Sequence, residues 1–197
     1  MLRTQLDPHM LFNTLANLRG LVREDAGRAE LMIDRLIVYL RGTLADSQAD
    51  WVALGREFAQ LRAYLEIMSI RMGPRLTWRL ELPDAIEGAR VPPMLLQPLV
   101  ENAIKHGLEP KVGAGHIDVV ARSTEQGIEI RIEDDGLGLP SPSASDSETA
   151  SAERPRGASY GLRHVRERLQ VVYGAAARLE LERRDPAGVR SLVFLPA

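Results

Sequence analysis

At Gly73-Pro74 the hydrophobic spacing of this chain changes from the three-and-four step of helices to the strict alternation of strands. Nothing else in the 197 residues limits the fold as strongly. Both kinds of segment must cover an apolar face, and a chain of this length holds one generous core or two small ones. Before the switch, residues 11–72 read as three helices with polar breaks near Glu24 to Gly27 and Asp46 to Asp50. The third carries Leu54, Phe58, Leu61, Leu65, Met68 and Met72 in an a/d seam. The second carries two stripes, Met32-Leu36-Tyr39 and Ile33-Ile37-Leu40-Leu44, a face wide enough for more than one neighbour. Residues 1–73 are therefore expected to form a helical hairpin-like unit that buries its surplus against a second copy as a homodimer. The alternative is that these helices cap the following domain of the same chain.

After the switch, Trp78, Leu80 and Leu82, then Ile117, Val119 and Ala121, then Ile128, Ile130 and Ile132 alternate as half-buried strands. Helices are expected from about Pro92 to His106 and from about Gly161 to Tyr173. Two last strands flank the turn Asp185-Pro186-Ala187-Gly188. The fold class is α+β: an N-terminal helical dimerisation module, 1–73, followed by a two-layer α/β sandwich, 74–197. Residues 139–159, rich in Ser, Ala, Pro and Glu, cannot form a core; their place beside the segment Asp134 to Gly138 suggests a lid.

A formal charge of −2 gives no reason to expect nucleic acid. No apolar run approaches the roughly 20 residues that span a bilayer, so no direct membrane contact is expected. The chain has no cysteine, which excludes disulfides and thiolate chemistry and fits the cytoplasm.

Chemistry concentrates in two runs, Leu99-Val100-Glu101-Asn102-Ala103-Ile104-Lys105-His106-Gly107 and Asp134-Asp135-Gly136-Leu137-Gly138. On a helix, Asn102, Lys105 and His106 share one polar arc. The Asn carbonyl oxygen suits Mg²⁺, and the ammonium and imidazole can meet phosphate oxygens. Asp134 can accept a hydrogen bond from an amino group, and Gly136 and Gly138 let backbone approach a flat ring. Together they describe a nucleotide pocket. Pro98, inside the expected helix, costs roughly 3 kcal/mol unless the helix is kinked there. Glu101 reads either as a base or as the i,i+4 partner of Lys105.

The chain resembles the catalytic core of LytS-type sensor histidine kinases, whose nucleotide domain is of the GHKL, or Bergerat, fold. Four blocks carry the resemblance: Gln5 to Leu15 as the phosphoacceptor motif, Leu99 to Gly107 as the N box, Asp134 to Gly138 as the first glycine box, and Ser159 to Leu169 as the second. It implies an autokinase that moves the γ-phosphoryl group of ATP to His9 and then to an aspartate of a response regulator. Asn102 would hold Mg²⁺, with Lys105 and His106 near the phosphates. Asp134 would bind the adenine amino group, Gly136 and Gly138 would admit the ring, and Gly161 and Leu162 would offer N–H groups to phosphate at a helix start. The parent protein would be anchored in a bacterial inner membrane.

Three positions depart from the family pattern: Met10 stands where Phe is usual, Ser159 where the second glycine box begins with Gly, and His164 where Asn is usual. Ser159 would then serve as a helix cap or a phosphate ligand. His9 lies about 200° from the stripe Leu11-Leu15-Leu18-Val22, opposite the expected packed side, and its imidazole has an unprotonated nitrogen at neutral pH. It reads equally as an ordinary first-turn residue after an Asp7-Pro8 cap. Asp7, which reads equally as a helix cap, or Asn13, one turn after His9 on the same face, would orient the imidazole or a water near it. GHKL ATPases that use a general base place a Glu four residues before the Mg²⁺ Asn, and here that position is Pro98. Two other functions remain open: a GHKL ATPase or serine kinase without histidine transfer, and a degenerate ATP-binding scaffold.

Overall fold

The three amphipathic segments are three helices in the computed structural model, which describes residues 8–46, 49–139 and 156–196. Helix α1 spans Pro8–Glu24, α2 Ala26–Asp46 and α3 Leu54–Met72. The first break is one residue, Asp25, whose carboxylate accepts the Arg28 N–H at 3.0 Å and caps α2. The buried line on α1 is Met10, Thr14 and Leu21; it is not the expected stripe, since Leu15 and Val22 are exposed. A hydroxyl decides this. Thr14 is tolerated in the core because its Oγ1 donates to the Met10 carbonyl at 2.8 Å, and reading apolar residues alone skips it.

The strand β1 (Val52–Ala53) leads into α3, and β2 (Leu76–Glu81) follows it. A short helix α4 (Asp84–Glu87) precedes β3 (Arg90–Val91), which pairs antiparallel with β1. Then come α5 (Gln97–Asn102), a π-helical segment over Ala103–Leu108, β4 (Gly115–Thr124) and β5 (Gly127–Asp134). Helix α6 (Arg156–Tyr173), β6 (Arg178–Arg183) and β7 (Val189–Pro196) complete the chain. The main sheet has the order β2-β4-β5-β7-β6, parallel between β2 and β4 and antiparallel elsewhere. The alternating rows face inward as read: Ile117, Val119 and Ala121 pack with Ile130, Ile132 and Val193.

The seam of α3 is spent inside the chain. Leu54, Leu61 and Leu65 are fully buried in the same core as the sheet. Burial of each is worth roughly 1.5–3 kcal/mol, so a few of them match the whole stability of a domain, about 5–15 kcal/mol. Helix α3 therefore moves with the sheet. The surplus apolar surface lies on α1 and α2, where Phe12 is 71% exposed, Val22 59% and Ile37 42%.

The helix expected from Pro92 starts later, at Gln97, because Met94 takes a positive φ of 56° that a right-handed helix cannot run through. Pro98 then falls in the first turn, where no N–H is required, and the expected penalty does not arise. Among the described residues no helix is long and apolar enough to cross a membrane.

Candidate nucleotide site

Segment 92–96 hangs on α3. The Leu54 N–H donates to the Ala89 carbonyl at 2.8 Å, and the buried Glu57 carboxylate accepts N–H groups of Met94 and Leu96. Met94 holds a positive φ of 56°, which a non-glycine residue adopts only when its surroundings fix it. Glu57 is what fixes it, and it aims the start of α5.

Helix α5 ends at Asn102 and widens into the π segment, where the Glu109 N–H reaches back five residues to the Ile104 carbonyl at 2.8 Å. A wider turn needs more residues to come round. Residues four apart stay aligned, so Asn102 and His106 both line a cleft of about 580 Å³. Residues three apart do not. Lys105 leaves the expected arc and lines a small groove on the other side, with Met10 and Asn13 of α1, Tyr64 and Arg71 of α3, and Glu101. Glu101 and Asn102, about 100° apart on one helix, thus open onto different spaces.

The end of β5 closes the cleft from the other side. Asp134 is 3% exposed and its Oδ1 accepts the Gly136 N–H at 2.8 Å. Burial pushes its carboxyl above the usual range, against the N–H groups of Gly136 and Val189. The chain then crosses the π segment: the Leu137 N–H donates to the Gly107 carbonyl at 3.1 Å. A Cβ on Gly136 would overlap the Gly107 backbone, and one on Gly107 would stand 2.7 Å from Asp134 Oδ1. Gly136 is therefore required by a backbone crossing and does not line the cleft, contrary to its expected role of admitting a ring. Gly138, at φ 79°, does line it.

Helix α6 begins at Arg156, earlier than expected. Gly161 and Leu162 stand past the four residues whose N–H groups a helix leaves free, so their N–H groups are not at a helix start. Gly161 instead faces α5, where a Cβ would make ordinary contact with Pro98 at 3.5 Å and with Asn102 Nδ2 at 3.6 Å. The Leu162 side chain lines the cleft. Ser159 is the fourth residue of α6 and so is not its cap. Most of the expected lid, the side chain of Ser159 and that of His9 lie outside the described residues; the backbone of His9 is in the first turn of α1.

Sequence reading missed the floor of the cleft, Leu181 and Ser191, which face each other across β6 and β7. A buried polar residue in the inward row Val189, Ser191, Val193 was the available signal. It also missed Glu57, a charge on the apolar face of α3.

The site fits a magnesium nucleotide. Among the described residues, Asn102 Nδ2 and His106 Nε2 are buried without a hydrogen-bond partner, and an unmet buried polar atom is costly unless a ligand meets it. Burial, and secondarily the charge of Lys105, lowers the pKa of His106, so it faces the cleft as a neutral imidazole at pH 7. An adenine amino group suits the Asp134 carboxylate, and the Asn102 amide oxygen suits Mg²⁺.

The charge on Asp134 costs folding stability. With its folded pKa above the unfolded one, its contribution is fully present below the unfolded pKa and is lost as pH rises through the folded value. Asp134→Asn is expected to hold or raise Tm while removing nucleotide binding, read by thermal melting and by titration with a fluorescent ATP analogue; a lower Tm with unchanged binding would reverse the assignment.

Comparison with known proteins bears on the same segments. Residues 1–76 match the histidine kinase family model, and residues 93–197 match the model of histidine kinase-, DNA gyrase B-, and HSP90-like ATPases. The sensor protein LytS of Staphylococcus haemolyticus is 29% identical over 181 residues, covering 92% of this chain and 31% of that protein. The sensor histidine kinase/phosphatase LytS of Staphylococcus aureus is 31% identical over 182 residues, with the same coverage. The chain thus spans about a third of the length of the curated relatives it matches. Among solved structures, the catalytic domain of histidine kinase ThkA superposes at TM-score 0.55 and 17% identity, covering 75% of this chain and 98% of that one. The histidine kinase domain of the Erythrobacter litoralis blue-light activated histidine kinase superposes at 0.54 and 16% identity, covering 98% and 95%.

Proposed function

The chain belongs to the family of histidine kinase-, DNA gyrase B- and HSP90-like ATPases, and from that premise we propose that it is the catalytic core of a two-component sensor kinase. In this reading it phosphorylates His9 from ATP and passes the phosphoryl group to a response-regulator aspartate. One observation carries the reading: the helix that turns Asn102 into the nucleotide cleft turns Glu101 onto the groove beside Asn13 of α1, the helix that holds His9.

Each residue then has a task. Asp134 selects adenine, and Gly138 with Leu162 encloses it. Asn102 holds Mg²⁺, which when bound offsets charge on the β- and γ-phosphates. His106 Nε2 and Asn102 Nδ2 give unmet polar atoms to the triphosphate. Glu101 takes the imidazole N–H proton as His9 is phosphorylated, and Asn13 steadies the ring. The exposed apolar face of α1 and α2, with Phe12, Val22 and Ile37, receives a second copy of the chain. The complete protein is longer, in keeping with the length of the relatives, and is held at the cytoplasmic side of a membrane.

Incubation with γ-labelled ATP and Mg²⁺ is expected to give an acid-labile, alkali-stable label on the wild-type chain and none on His9→Gln. An acid-stable label, or one that persists on His9→Gln, would favour a serine kinase.

A further inference from the structure

The side chain of Gln97, 3% exposed in the first turn of α5, joins two groups on different helices. Its Nε2 donates to Glu101 Oε1 at 2.8 Å and to the hydroxyl oxygen of Tyr39 on α2. Tyr39 is fully buried, its ring tilted on Tyr64 with centroids 6.2 Å apart. Its backbone is tied to α3 as well: Gln60 Nε2 donates to the Tyr39 carbonyl at 3.4 Å and to Thr43 Oγ1 at 3.1 Å. Both amide protons of Gln97 are therefore engaged, one by a fixed wedge and one by the carboxylate that opens onto the groove beside α1.

We infer that Gln97, seated by the hydroxyl of Tyr39, is a positioning residue that orients the Glu101 carboxylate for phosphoryl transfer. The inference rests on the assignment of Glu101 as the base. In the step concerned, an imidazole nitrogen of His9 forms a bond to the γ-phosphorus as the bond from that phosphorus to the β,γ-bridging oxygen breaks. The electron pair leaves with ADP, and the proton on the other imidazole nitrogen passes to Glu101. A carboxylate on a flexible side chain has several rotamers that miss that proton, and a buried donor at i−4 holds one of them. Helix α2 also bears the exposed row Ile33, Ile37 and Leu44, so the helix that offers an apolar face outward supports the base inward.

Among the described residues of the groove, the titratable neighbours of Glu101 are Lys105 of the π segment, Glu109 just after it, and Tyr64 and Arg71 of α3. None is altered by Gln97→Met, which keeps the length of the side chain and deletes its donor. That variant is expected to slow label incorporation about tenfold or more at saturating Mg²⁺-ATP, with nucleotide affinity changed less than about twofold. Tyr39→Phe is expected to slow the rate in the same way by a smaller amount, with nucleotide affinity again unchanged, and in a Glu101→Gln background Gln97→Met is expected to add no further loss. A wild-type rate for Gln97→Met, with Glu101→Gln slow, would overturn the positioning role alone. Rate and ATP affinity falling together would make Gln97 structural and overturn it too. Glu101→Gln at the wild-type rate would overturn the base assignment and this inference with it.

Discussion

Asn102→Asp is expected to abolish label incorporation and Mg²⁺-ATP binding while the chain stays folded. The amide Nδ2, without a hydrogen-bond partner among the described residues, lies on the cleft beside Gly161 of α6. The substitution replaces a donor with an anion of the same shape, at the place where the triphosphate would bring several more negative charges. Like charges about 4 Å apart repel by about 4 kcal/mol at an effective dielectric near 20, which is roughly a thousandfold in affinity. Titration with a fluorescent ATP analogue reads the loss, and an unchanged circular dichroism spectrum separates it from unfolding. Binding at wild-type strength would remove Asn102 from the site.

The second large effect is expected at Gly136, and it falls first on stability. A methyl group there overlaps the Gly107 backbone, which has no flexible end to move aside. Overpacking of this kind costs about 1–3 kcal/mol, and in a chain of this size each kcal/mol lowers Tm by roughly 2–4 °C. Gly136→Ala is therefore expected to lower Tm by several degrees and to loosen the crossing that joins Asp134 to the π segment. Were Gly136 merely making room for adenine, the same variant would weaken nucleotide binding and leave Tm unchanged. Melting curves without nucleotide decide between the two.

Much of the architecture was written in the chain. Alternation placed Ile117, Val119, Ile130 and Ile132 on the buried face, and the segment from Leu99 to Gly107 with Asp134 to Gly138 marked the cleft. What was hidden depends on geometry finer than a hydrophobic period. No composition signals a π turn, so Lys105 and His106 looked like partners until the wider turn sent them to different spaces. A glycine needed for a backbone crossing looks the same in sequence as one that lines a cleft, and the structure puts Gly136 at the crossing and Gly138 on the cleft. Pro98 looked costly only because the start of α5 was placed too early, and Gly161 and Leu162 looked like helix-start donors because the start of α6 was placed too late. Glu57 escaped because a charge on an apolar face reads as an interruption, whereas the two N–H groups it accepts come from residues far along the chain.

The central claim is that the cleft between α5, α6 and the end of β5 holds a magnesium nucleotide, with its base at Asp134 and its phosphates at Asn102. Solving the chain with Mg²⁺ and a non-hydrolysable ATP analogue tests it most directly. The account predicts the adenine amino group on the Asp134 carboxylate, the metal on the Asn102 amide oxygen, and the terminal phosphate directed toward α1. An analogue bound elsewhere, or a cleft filled by the chain's own side chains at saturating nucleotide, would contradict it.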